Sequence, residues 1–405
     1  MRIEGLETQR DGSLARASAR VTWEDRVAKS RVIHFQTDAA WADHLEAAPA
    51  AFLAAVVAPA LRAQERRIAV EGAVCPALRD GLTTAMQILA RWYDPQRRIP
   101  AIEAGEGFRP APGPAAARTA MFLSGGVDSL ALLRCNRQDY PPDHPAAVRD
   151  AFFVYGFDIG ALTPRNREDF FARARSSLEP VIQETGVGLI PVRTNLRSLA
   201  KGHIWPDEWF GLGLASVAHA FGSRISRALI ASSLDVASLA PCGSHPMLDP
   251  YFSSASLRFV HEGAHLSRLA KIRLVSEWPA GLAALRVCWQ DQGAGDPLNC
   301  GRCRKCLRVM MGLLVLGKLE QAPTFPVQRV TPEMLGSSEV DAHVLGFYRE
   351  LLDPLEAIGR GDLAAVIRGK VAAYERGQRG SWPERLRRYG RSALRKAGRA
   401  SRRFR

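Results

Sequence analysis

Apolar positions recur along this chain with two periods, and the change from one to the other divides it. Residues 32–37 alternate Ile33 and Phe35 against His34 and Gln36, the period-two mark of a half-buried strand, and 19–23 is a second strand candidate. Residues 40–62 read as a helix or helix pair broken near Pro49, and 68–71 as a short strand. Leu82, Met86, Leu89 and Trp92 or Tyr93 then fall on one stripe of a helix over 80–93. Residues 1–104 are therefore expected to form a small α+β module. The stretch 105–117, with three prolines and three glycines, is the linker candidate.

From Arg118 onward, short apolar runs alternate with helical segments. Residues 121–123, 151–155, 189–192 and 228–231 suit buried parallel strands, and 168–184 and 210–221 suit helices between them. The expected class is α/β: a parallel sheet with helices on both faces over 118–320. In such sheets ligands sit at the carboxyl ends of strands. Phe157 and Asp158, Thr194 and Asn195, and 232–235 with Asp235 all come at such ends. Two further helical patterns, 342–358 and 362–374, make up a C-terminal region over 321–378, and Thr331-Pro332-Glu333 is a good helix start.

The strand at 121–123 runs into Ser124-Gly125-Gly126-Val127-Asp128-Ser129 and then an apolar helix start. A strand, a glycine turn and a helix N-terminus suit an anion, because the first helical N–H groups have no backbone partner and point at the turn. Gly125 and Gly126 let the backbone approach a phosphate, and Ser124 and Ser129 add hydroxyl donors. The G-x-x-x-x-G-K-[ST] nucleotide loop is absent. Downstream, the irregular 241–254 stretch carries Cys242, His245 and Asp249 among its prolines, as substrate or magnesium contacts or as plain turn chemistry. Arg268 and Lys271 are candidate cations for a phosphate.

Cys288, Cys300, Cys303 and Cys306 follow a C-x11-C-x2-C-x2-C spacing. Four thiolates make a closed tetrahedral site of structural type for Zn²⁺. An iron–sulfur cluster is the alternative, although no fourth cysteine follows closely downstream of the C-x2-C-x2-C run. Clustered cysteines point to metal binding in a reducing compartment, and residues 1–12 carry charges without an apolar run, so a cytoplasmic protein is expected. The apolar 48–61 segment is too short to span a bilayer.

At 405 residues and 47% hydrophobic, the chain exceeds one typical domain and has ample material for a core. The net charge of +14 would suggest nucleic acid were it spread evenly. Residues 379–405 hold eleven Arg or Lys against a single acid, Glu384, for +10, which leaves +4 on the other 378. The basic tail is the part suited to an anionic membrane surface or nucleic acid.

The hexapeptide 124–129 resembles the PP-loop of the ATP-pyrophosphatase superfamily, and a PP-loop followed by the four-cysteine pattern resembles the 7-cyano-7-deazaguanine synthase family. The resemblance covers about half of the chain. It implies ATP and Mg²⁺ as cofactors beside Zn²⁺, adenylation of a substrate carboxylate with release of pyrophosphate, and attack by ammonia or an amine to give an amide or nitrile. On that reading Ser124, Gly125, Gly126, Val127, Asp128, Ser129, Phe157, Asp158 and Asp235 bind nucleotide, and Asp128, Ser129 and Lys271 are catalytic. The family's Gln-x-His pattern after the second strand is missing, and 243–250 also differs, so the chemistry transfers more safely than the substrate. The alternatives are sulfur transfer to nucleic acid, which needs Cys75, Cys135 or Cys242 as a relay thiol, and a non-catalytic nucleotide-binding module. A homo-oligomer is compatible with either.

Overall fold

The computed structural model describes residues 1–110, 112–114, 117–161, 167–200, 202–288, 297–336 and 340–379. The chain forms two compact units, Met1–Gln328 and Arg329–Arg405.

In the first unit, ten strands share one sheet. In chain order they are β1 (Arg2–Asp11), β2 (Leu14–Thr22), β3 (Arg31–Asp38), β4 (Arg67–Val70), β5 (Ala101–Ala104), β6 (Thr119–Phe122), β7 (Val148–Tyr155), β8 (Gly188–Thr194), β9 (Arg227–Ala231) and β10 (Arg258–Glu262). The spatial order is β10-β9-β6-β7-β8-β3-β2-β1-β4-β5. The five strands from β10 to β8 are all parallel to their neighbours, while β3 joins β8 antiparallel. The fold is α/β with a mostly parallel sheet.

The N-terminal segment does not build a sheet of its own. A parallel sheet ends in an edge strand whose unpaired N–H and C=O groups invite pairing. Here β3 covers the β8 edge, with Phe35 opposite Thr194 and Gln36 opposite Arg193. Asn195 clasps the junction: its Oδ1 accepts from His34 N at 2.9 Å and its Nδ2 donates to Val32 O at 2.8 Å. Thr37 Oγ1 adds a bond to Pro191 O at 2.7 Å.

Helices cover both faces. Successive strand residues point to opposite sides, so on β7 Phe152 meets Phe221 at 5.2 Å on one face and Phe153 stacks on Phe171 at 4.8 Å on the other. The first face carries α1 (Pro49–Arg62), α2 (Pro76–Tyr93) and, after a π-helical turn at Trp205–Trp209, α7 (Phe210–His219). The second carries α3 (Val127–Asp139), α5 (Arg167–Ser176), α6 (Glu179–Thr185), α8 (Arg268–Ser276), α9 (Pro279–Ala284) and α10 (Arg304–Val315). A single turn, α4 (Asp158–Ala161), follows β7. The expected helix over 168–184 is α5 and α6, since Pro180 opens the second helix and cannot continue the first. Pro49 likewise opens α1.

The second unit holds α11 (Pro332–Gly336), α12 (Ala342–Glu350), α13 (Leu352–Ala357) and α14 (Gly361–Arg379). Phe347, Tyr348, Leu355, Leu363 and Ile367 are buried within it, and Arg368 pairs with Glu356. The expected 342–358 helix divides at Leu351, just ahead of Pro354. The basic tail beyond residue 379 lies outside the described residues. No helix among the described residues is long and apolar enough to cross a membrane.

Candidate functional site

Numbered by appearance within the parallel part, β6, β7, β8, β9 and β10 take the order 3-2-1-4-5 across the sheet. After β8 the chain returns to the far side of β6, so the direction of winding reverses between β6 and β9. A crevice opens at such a switch point, outside the carboxyl ends of the two strands. The 124–126 turn leaves β6 there, and 232–235 leaves β9 beside it.

The turn is built by local chemistry. Gly125 has φ +77°, and a Cβ on it would lie 3.3 Å from Ala284 O, so both conformation and space call for glycine. Gly126 caps α3, and the first helical bond runs from Leu130 N to Gly126 O at 3.0 Å. The N–H groups of Val127, Asp128 and Ser129 precede that bond in the helix. Buried Ser129 donates Oγ to Gly126 O at 3.1 Å and accepts from Ser124 N at 3.3 Å, while Ser124 Oγ accepts from Gly126 N at 3.3 Å. Ser124 itself is exposed.

Cations gather around this turn. Asp128 Oδ1 lies 2.8 Å from Arg268 Nη1 and 3.7 Å from Lys271 Nζ, both supplied by α8 across β9. Arg268 and Lys271 also donate to Ser233 O and Ser232 O, each at 2.7 Å, which ties them to the β9 end. Burial pulls the Lys271 ammonium below the usual lysine range, and the Asp128 carboxylate opposes that shift. Asp235 accepts from Ser238 N at 2.9 Å and caps a short 3₁₀ turn beside the same lysine.

Arg286 is a member of the site that its sequence context hides, within Leu285-Arg286-Val287. It is buried, and its Nη2 donates to Ser124 O at 2.8 Å while its backbone N donates to Gly125 O at 2.8 Å. Burial lowers its pKa to about 10, with Asp158 and Cys288 opposing, so it stays charged at neutral pH. Burial also lowers Lys305, again opposed by Asp158. Asp158 therefore sits among cations at the β7 end.

Other strand-end candidates have structural roles. Phe157 is buried with its ring 4.6 Å from Trp205, so only its backbone faces polar chemistry, where its carbonyl accepts from Arg197 Nη1 at 2.9 Å. Thr194 packs under Gly156, where a Cβ would lie 1.9 Å from Thr194 O, and Asn195 holds β3. Asp249 is wholly buried, accepting from Ser244 Oγ at 2.8 Å and His245 N at 3.2 Å and facing His261 Nδ1 at 2.7 Å. His245 packs edge-on against Trp92 at 5.0 Å. Cys242 donates to Ser244 O at 2.9 Å, and burial raises its pKa and that of Cys135. Raised thiols are poor nucleophiles.

Cys288, Cys300, Cys303 and Cys306 converge as the spacing requires, with all four Sγ atoms within 4.8 Å of one another. The 288–303 and 300–306 pairs lie at 3.8 Å and 303–306 at 3.5 Å. A tetrahedral ion with metal–sulfur bonds of about 2.3 Å has edges of about 3.8 Å, so the four fit one metal ion. Buried Asn299 shapes this knuckle: its Oδ1 accepts from Val287 N and Cys288 N at 2.8 and 3.1 Å, and its Nδ2 donates to Leu285 O at 2.9 Å. Among the described residues no other group of three or more His, Cys, Asp or Glu side chains is placed to hold a metal ion.

Fold and site together define an α/β protein with a glycine turn at a topological switch point and, beside it, a cluster of four cysteines able to hold a metal ion. Comparison with known protein families, with curated proteins and with solved structures finds no match.

Proposed function

We propose that the chain is an ATP-dependent ligase that adenylates a substrate carboxylate, releasing pyrophosphate, and then joins the acyl group to ammonia or an amine. The observation that carries this reading is the pairing of a free helix N-terminus at the switch point with Lys271, Arg268 and Arg286 around one turn. Backbone N–H groups of 127–129, with Ser124 and Ser129, would hold the β- and γ-phosphates. Lys271 would balance charge that develops on the bridging oxygen. An acceptor carboxylate oxygen bonds to the α-phosphorus as the Pα–O–Pβ bridge breaks; the amine nitrogen then bonds to the acyl carbon as AMP leaves. Mg²⁺ would supply charge neutralisation, held by Asp128 together with phosphate oxygens and waters. The four cysteines suit Zn²⁺, closed to substrate and structural in role. A cytoplasmic location accords with reduced cysteines.

The test is product analysis with ATP, Mg²⁺, a panel of carboxylates and ammonia. AMP and pyrophosphate, formed only when an acceptor is present, are expected. ADP and phosphate would sink the assignment.

A further inference from the structure

Two motifs far apart in sequence, the glycine turn and the cysteine knuckle, are joined through one residue. Arg286 Nη2 donates to Ser124 O at 2.8 Å, and Nη1 of the same guanidinium donates to Cys288 O at 3.0 Å. The backbone adds a second tie, from Arg286 N to Gly125 O at 2.8 Å. A Cβ on Gly125 would stand 3.3 Å from Ala284 O and 3.7 Å from Arg286 Cβ, so the 284–288 segment lies directly along the turn. Asn299 fixes that segment from the other side, beside Cys300. Moving Cys288 therefore moves the strut on which the turn rests.

Charge acts in the same direction. A tetrathiolate around a divalent ion carries net −2, and a bound pyrophosphate end would be anionic as well. The buried guanidinium between them interacts favourably with both, and an unpaired buried charge is costly.

We infer that Arg286 is a positioning residue that couples metal loading at the four cysteines to the geometry of the glycine turn. This deepens the proposed nucleotide reading and rests on it for its consequence in function: the metal-free chain binds nucleotide weakly even though no cysteine touches it.

Hydrogen exchange on the full chain tests the coupling, following peptides over 121–133 with metal bound and after stripping by a chelator under reducing conditions. In the wild type, stripping should raise exchange in the turn about tenfold while peptides of the β1–β3 meander keep their protection. Cys303→Ser should show the same rise without chelator. Arg286→Lys keeps the charge but replaces the rigid fork, whose two nitrogens each serve one carbonyl, with a point charge on a flexible stem. It should retain about one metal per chain, exchange at the raised rate, and gain little on stripping. A turn that ignores stripping in the wild type, or an additive effect in Arg286→Lys, would overturn the inference. If Arg286→Lys fails to fold, the wild-type and Cys303→Ser arms still decide. Titrating the same samples with Mg·ATP separates the two readings: coupled exchange without ATP binding would refute the function and leave the coupling standing.

Discussion

The two ends of the central strands carry the same kinds of side chain and use them differently. At the amino end, Asp150 of β7 is wholly buried between Arg118 and Arg224. Each guanidinium contacts both carboxylate oxygens, so the carboxylate is saturated by two forks. At the carboxyl end, Lys271 and Arg286 direct their donors to the backbone carbonyls of Ser232, Ser124 and Cys288, and Asp128 is the carboxylate shared by Arg268 and Lys271. Carbonyls orient a cation without neutralising it. Carboxylate alone closes the charge at the amino end, whereas at the carboxyl end carbonyls also hold cations beside a helix N-terminus, an arrangement that suits an anion.

The contrast can be broken from either end. The largest effect is expected at the closed cluster. Asp150→Asn leaves two arginines without their buried carboxylate and should cost about 3–5 kcal/mol of stability in denaturant unfolding. Loss of well under ~1 kcal/mol would mean the cluster is not structural.

A second structural group, His219, should report through pH. Its Nε2 faces Phe252 O at 2.8 Å, and burial lowers its pKa to about 4, so it is neutral in the folded chain. Because the unfolded histidine titrates near 6.5, the folded state holds its full advantage above that pH. The advantage is lost as pH falls from about 6.5 toward about 4, a change of about 3 kcal/mol from this group. His219→Gln, which keeps a donor for Phe252 O, should remove that share of the pH dependence. An unchanged pH profile would contradict the assignment.

Much of this was legible in the sequence, for a physical reason. The glycine turn and the cysteine knuckle are local patterns, in which spacing alone brings the chemistry together. Arg286 was not legible, because it lies in an apolar run and takes its role from a carbonyl 162 residues away in the chain. Thr194 and Asn195 read as strand-end site candidates, yet they serve the edge joined by β3, a pairing no local pattern reveals. β1, β5 and β10 were missed because so few of their positions are buried: β1 has one, Ile3, β10 one, Phe259, and β5 none.

The smallest effect on chemistry is expected from the tail. Deleting residues 379–405 should leave turnover on a small substrate nearly unchanged, while abolishing salt-sensitive retention on anionic vesicles. Turnover that falls with the deletion would bring the tail into the site.

The central claim, that the cations at the carboxyl end await an anion, is tested most directly by calorimetric titration of Mg·ATP into wild type and Lys271→Met. Methionine fills a similar buried volume without the charge. One site per chain is expected in the wild type, with affinity lower by about tenfold or more in Lys271→Met and the fold retained. No binding to the wild type, or equal affinity in the two proteins, would contradict it.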